Sequence, residues 1–465
     1  MFKRLSGFAL VLIVAACVET PMAVDEQLPL EPSFSQISLD DEIDVSGRYL
    51  VRFRSQGPDQ LERDVEALGG LVLFSHELGI AVVSGLSDDA AAELGAEGYV
   101  REIQADAVLQ LDPIVDIEAV ESVGAAPTSP GDPTSAFIFG RQWNMRAVMA
   151  DEAWAIGRTG DPDVTVAILD SGIDYGYPDL QGRVDLTRSV SFMPEDDELV
   201  SMVFPGKHPI TDLHWHGTHV AATVVSNGLV AAGVTSQPTL MGVKVCSVFG
   251  GCPLGAVIMG VLHAVDHGAD VINMSLGGWF LKPGNGWFVG YINRAFSYAN
   301  RAGVTVVVAA GNDSWDLDHK GPEFTTYCDA PNVICVAATG PTASGGIYGP
   351  WTDVDAPAPY SNFGRSSISV AAPGGTGSGF VWSGCSQTSL LIPDCQMGIY
   401  VIGATGTSQA SPHVAGLAAL LVEDYGRNPA RVRAGIRNSA DDLGRLGTDP
   451  FYGKGRINVL EAVRH

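Results

Sequence analysis

The stretch GTSQASPHVAG, residues 406–416, decides how this chain is read. Ser408 sits between Gly406 and an apolar run in which Val414, Leu417, Ala418 and Leu421 keep helical spacing. Pro412 is expected in the first turn of that helix, where a missing N–H costs little. A serine at a helix start has backbone N–H groups and the positive dipole end beside it, which suits a developing oxyanion. A hydroxyl is a poor nucleophile at neutral pH, so it needs a base, and the base needs a carboxylate to fix its tautomer. Two segments upstream supply both. HGTHVA begins at His216 and leads into an apolar stretch, Val220 to Val225, that reads as a helix. VAILDSGID surrounds Asp170, which closes the buried-strand pattern Val164 to Leu169. The carboxylate therefore stands at a strand's C-terminal end, where open α/β sheets assemble their sites.

A fourth segment, VTVVVAAGN, is a strand pattern closed by a Gly-Asn turn at Asn312, and a fifth, INMSLGG, spans Ile272 to Gly278. In the order Asp, His, Ser, these segments resemble the subtilisin-like serine proteases, the subtilases, over roughly Gln142 to Val463. The resemblance implies an α/β fold, a parallel sheet with helices on both faces. It implies a serine endopeptidase acting on protein or peptide substrates, with Ser408 as nucleophile, His216 as base and Asp170 as its orienting acid. Asn312 would be the oxyanion donor, with the Ser408 N–H as companion. Ser275, Leu276 and Gly277 would form a binding edge along which an extended peptide pairs. No cofactor is needed for this chemistry. A structural calcium ion is implied at Gln142, Asp179 and Asn227 with the carbonyls of Val225, Leu229 and Ala231, oxygen donors that suit a hard cation.

Other chemistries fit less well. His214, His216 and His219 could ligate zinc, but no HExxH or Cys/His grid accompanies them. Too little chain follows Ser408 for an α/β-hydrolase to place its acid and histidine. A catalytically silent, surface-anchored binding protein on the same scaffold is the alternative from another class; its mark would be a lost catalytic position, and all four are present.

Composition agrees. The chain has 465 residues, 46% of them apolar, enough for a large core, and 53 acidic against 27 basic residues give −26. That charge argues against nucleic acid as a partner. A monomer is expected. Lys3 and Arg4 precede an apolar run, Phe8 to Val14, and Val14-Ala15-Ala16-Cys17 resembles a bacterial lipobox. Residues 1–16 are thus expected to be a lipoprotein signal, with Cys17 lipidated and the membrane reached through that lipid alone. No other segment is apolar enough to span a bilayer. Six further cysteines in an exported chain imply disulfides, and their spacing favours the local pairs Cys246–Cys252, Cys328–Cys335 and Cys385–Cys395.

Residues 17–46 read as a flexible acidic segment. Residues 47–112 alternate as βαββαβ: a strand at Arg48–Arg54, a helix at Asp59–Leu68, two strands within Leu71–Leu86, a helix from Ser87, and a last strand Tyr99–Leu111. This ferredoxin-like α+β unit resembles the inhibitory pro-domain of subtilases, an intramolecular inhibitor. Residues 113–140 read as a linker holding the processing site, and residues 141–465 as the catalytic domain. The expectation is an exported bacterial zymogen, membrane-anchored until cleavage and extracellular after it. Gly345–Pro359 and Gly374–Cys395, rich in Gly, Pro and Ser, read as surface insertions.

Overall fold

The apolar run ending in Asp170 becomes an interior strand of the larger domain's sheet. The computed structural model describes residues 43–54, 57–111, 116–124 and 131–464, with backbone alone for 116–120 and 326. The signal segment, Cys17 and most of the acidic segment lie outside the described residues.

The N-terminal unit comprises β1 Tyr49–Phe53, α1 Pro58–Ala67, β2 Leu71–His76, β3 Ile80–Ser84, α2 Asp88–Ala96 and β4 Val100–Ala105. Its antiparallel sheet has the order β2-β3-β1-β4. The Ser87 hydroxyl accepts from Ala90 N and caps α2, as the sequence suggests. Period-two alternation gives this sheet two apolar faces. Val51, Ala81 and Val83 pack under its own helices, whereas Leu50, Ile80 and Val82 are buried in the core of the larger domain.

The expected last strand, Tyr99–Leu111, is divided. β4 stops at Ala105, and β5, Val108–Gln110, leaves the sheet. Asp106 explains the break. Its carboxylate accepts from Ala107 N at 2.8 Å and from Gly255 N at 2.9 Å, capping the start of helix Leu254–Asp266 across the interface. Burial pushes Asp106 up to about 6, against the pull of those two amides. At the other end of the same helix, Asp266 meets His76 at 2.9 Å.

The larger domain contains β7 Thr165–Asp170, β8 Val190–Ser191, α3 His216–Val224, β9 Thr239–Lys244, β10 Gly251–Pro253, α4 Leu254–Asp266, β11 Val271–Met274 and α5 Lys282–Arg301. Then follow β12 Thr305–Ala309, β13 Val333–Thr339, β14 Val370–Pro373, β15 Val381–Gly384, β16 Tyr400–Thr405 and α6 Thr407–Tyr425. Seven strands form a parallel sheet in the order β14-β13-β12-β11-β7-β9-β8. Both faces are covered: Ala167 and Leu169 of β7 face the core with α4 and α5, and Val166 and Ile168 face that with α3 and α6.

Two sequence readings are overturned. Residues 116–122 of the expected linker form β6, paired antiparallel with β16. That edge is supplied by distant chain, so local composition carried no sign of it. Gly374–Cys395 is not a surface insertion throughout: β15 is buried against β16, and the Ser386 and Thr388 hydroxyls donate to the Asp212 carbonyl at 2.7 and 2.9 Å.

Candidate active site

Asp170 and His216 are brought together by the close approach of the β7 loop to α3. A Cβ on Gly217 would stand 2.1 Å from the Gly172 carbonyl oxygen, so no other residue fits there without moving backbone. Both side chains are fully buried, with His216 Nδ1 2.8 Å from Asp170 Oδ1. Ser171 N also donates to that oxygen at 2.8 Å. The turn before α3 is strained, since Trp215 holds φ 137°. Asp212 holds it in place: its carboxylate accepts from the N–H groups of His214, Trp215 and Thr218 at 3.0, 3.0 and 2.9 Å, and from the Ser171 hydroxyl. Sequence reasoning missed Asp212; an Asp two residues before His214 in DLHWHGTH was the available Asx-turn signal.

Ser408 is the second residue of α6 and is 2% exposed. Its hydroxyl donates to the Ser275 carbonyl at 3.1 Å. Pro412 lies in the second turn, not the first as the sequence suggested. The N–H it lacks would have met the Ser408 carbonyl, which instead accepts from the Ser275 hydroxyl at 2.9 Å. Ser275 thereby repairs the helix beside Ser408. Ser275 and Leu276 are wholly buried, leaving backbone as what this edge offers a peptide.

Asn312 reaches the same helix start. Its side-chain oxygen accepts from Thr407 N and Thr407 Oγ1, both at 2.9 Å, so any donor role falls to Nδ2. That nitrogen lies beside Gly406, 3.4 Å from where a Cβ would be. Asn362 steadies the loop, accepting from Asp313 N and Trp315 N and donating to the Ala310 carbonyl. Nothing in the sequence around Asn362 signalled this.

The other histidines are structural. Burial holds His214 and His219 down to about 3 and His413 down to about 4, so all three are neutral near pH 7. His219 Nε2 donates to the Val381 carbonyl, and His413 bridges the Gln409 carbonyl and Asn144. Among the described residues no group of three His, Cys, Asp or Glu side chains is placed to hold a metal.

The cleft beside Ser408 is lined by paired backbone. Disulfide Cys246–Cys252 closes the loop that forms β10; the other bridges are Cys328–Cys335 and Cys385–Cys395. β5 runs antiparallel to β10, with Leu109 opposite Cys252, and Gln110 pairs with Gly277 on the other side. Leu111 N donates to the Gly250 carbonyl at 2.7 Å. The chain's own segment thus lies as the middle strand between the two walls. It resumes in β6, whose Asp116 is opposite Thr405, three residues before Ser408.

The oxygen set named for calcium does not fit a cation. Asp179 accepts from the N–H groups of Leu229, Val230 and Ala231 at 2.8, 2.9 and 2.8 Å. Asn227 Oδ1 accepts from Arg183 Nε at 2.8 Å, and its amide donates to the Pro178 and Gln181 carbonyls. Gln142 is spent on both backbone groups of Ala232. A guanidinium holds the Asn227 oxygen, and the Leu229 and Ala231 carbonyls accept from Phe137 N and the Ser226 hydroxyl. Arg183→Met should therefore speed hydrogen exchange at residues 226–231 by roughly tenfold, the effect of one lost charge-assisted bond. A chelator should leave exchange there unchanged; protection lost on chelation would restore the calcium reading.

The comparisons agree with this geometry. The subtilase family model matches residues 161–455. Thermitase from Thermoactinomyces vulgaris is 30% identical over 340 residues, covering 72% of this chain and 100% of thermitase. Subtilisin E from Bacillus subtilis is 33% identical over 330 residues, 69% of this chain and 71% of its own. The crystal structure of the epidermin leader peptide processing serine protease from Staphylococcus aureus has a TM-score of 0.69 at 19% identity, covering 90% of this chain and 97% of that one, a likeness of fold. With a parallel sheet covered on both faces, His216 paired to Asp170, and Asn312 tied to the helix start that carries Ser408, this chain belongs to the subtilase family of serine endopeptidases.

Proposed function

We propose that the chain is an exported, self-processing zymogen whose protease cuts peptide bonds through an acyl-enzyme on Ser408. His216 takes the serine proton as Oγ attacks the carbonyl carbon, then gives it to the departing amine. Asp170 holds the imidazole through Nδ1 and stabilises its charged form, and Asn312 Nδ2 with the Ser408 N–H meets the oxyanion. Water then repeats the attack on the acyl group, His216 again moving the proton, and the serine is restored. The observation that carries the zymogen reading is the path of β5: residues 108–111 pair between β10 and Gly277 as a substrate strand would, and the next described segment, β6, begins opposite Thr405.

The N-terminal unit is then the inhibitor, and the first cut falls between Leu111 and Asp116. Three disulfides support export to an oxidising compartment. With a lipid on Cys17, the zymogen would be held at the membrane and the cut would free the protease. A fluorophosphonate probe should label wild type and fail on Ser408→Ala, which also decides against a silent binding protein. Ser408→Ala should stay full length and sediment with membranes, and adding Cys17→Ser should release it. Unaided maturation of Ser408→Ala would overturn self-processing.

A further inference from the structure

The leaving-group side of the cleft carries more than the family's catalytic groups. We infer that the β16 edge and Arg141 form a docking site for an extended acidic peptide strand C-terminal to the scissile bond, filled in the uncut chain by β6. The inference rests on the reading of Ser408 as nucleophile and of residues 112–115 as the region cut.

β6 occupies that edge over its whole length. Asp116 is opposite Thr405, Ile117 opposite Ala404, Glu118 opposite Gly403, Glu121 opposite Val401 and Ser122 opposite Tyr400. Val123 N extends the ladder to the Ile399 carbonyl at 2.9 Å. The strand is antiparallel to β16, begins beside the nucleophile and runs away from it, as the leaving half of a bound peptide must after β5 has filled the acyl half. Backbone pairing of this kind is blind to sequence, so selectivity has to come from side chains.

Arg141 supplies it. Its side chain is 9% exposed, and Nη1 lies 2.6 Å from Glu121 Oε2, while that glutamate is 39% exposed. The guanidinium carbon stands 5.2 Å from the ring centres of both Tyr348 and Trp382. Trp382, on the strand next to β16, is 3% exposed. The cation is therefore built into the wall between two aromatic rings, and the carboxylate is the exchangeable partner. Arg141 Nε has no hydrogen-bond acceptor and Nη2 reaches only the Tyr348 hydroxyl at 3.4 Å, so withdrawing Glu121 leaves the guanidinium without its anion. A surface ion pair made for stability alone would expose both partners. The occupant, in the acidic sequence DIEAVES, meets that demand with Glu121.

The site can be read with the chain's own sequence as probe. Because the processing cut leaves β6 on the protease, matured enzyme is first trimmed behind residue 124 through an inserted protease site, and is then given three synthetic peptides: residues 106–124, the same with Glu121→Gln, and residues 106–117. The full peptide should have a kcat/KM about tenfold above either of the others, the difference lying in KM, as expected for one charge-assisted bond to a buried cation. With Arg141→Met enzyme, the ratio between the unaltered peptide and its Glu121→Gln form should collapse to near one; Arg141→Lys should restore part of it. Equal kcat/KM for the three peptides on wild type would overturn the docking site and leave the processing reading standing. Failure to cut any of them between residues 111 and 116, by enzyme that reacts with the fluorophosphonate, would instead overturn the processing reading.

Discussion

Ser408→Ala, His216→Ala and the double variant should each lose peptide hydrolysis by a similar factor, on the order of a million-fold in kcat, a magnitude taken over from subtilisin. The ground is the unity of the machinery. In the proposed mechanism the serine proton goes to His216, and His216 lies 2.8 Å from the fully buried Asp170 carboxylate. Removing either partner removes the same step, so the second substitution finds nothing left to remove. Stopped assays on a casein-type substrate, with each variant supplied as enzyme matured in trans, give the comparison. Additive losses, or near wild-type hydrolysis by His216→Ala, would break the assignment.

Asn312→Ala should lower kcat by about 100- to 1000-fold with little change in KM. Its amide oxygen is fixed by two bonds from Thr407, which aims the nitrogen at the helix start where charge appears only in the transition state. An interaction absent from the ground state cannot tighten substrate binding. A raised KM at unchanged kcat would make Asn312 a binding residue instead.

What the sequence disclosed follows from how local each signal was. Strand β7 and the helix after Ser408 were legible because their apolar periodicity is complete within a dozen or so residues. The disulfides were legible because each closes a short loop. β6 was hidden because its partner is hundreds of residues away and its neighbours are rich in Pro, Gly and Ser. Asp212 was overlooked although its Asx-turn spacing marked it, whereas Asn362 was hidden because the N–H groups it serves, Asp313 and Trp315, are far away in sequence. Pro412 was misplaced because the compensating hydroxyl comes from Ser275 on another element. The oxygen set was read by position alone, and position says nothing of Arg183 arriving from the side.

If the N-terminal unit is the inhibitor proposed above, the core it shares with the larger domain would make its removal a ratchet. Leu50, Ile80 and Val82 have no exposure while the N-terminal unit sits on α4, and Asp106 and His76 are spent on the two ends of that helix. A departed unit would present those three apolar side chains to water on one bare face of a four-stranded sheet. A domain of that size has little stability in reserve and becomes a substrate for the enzyme it leaves. Each inhibitor molecule would then serve once, and the switch would have no road back.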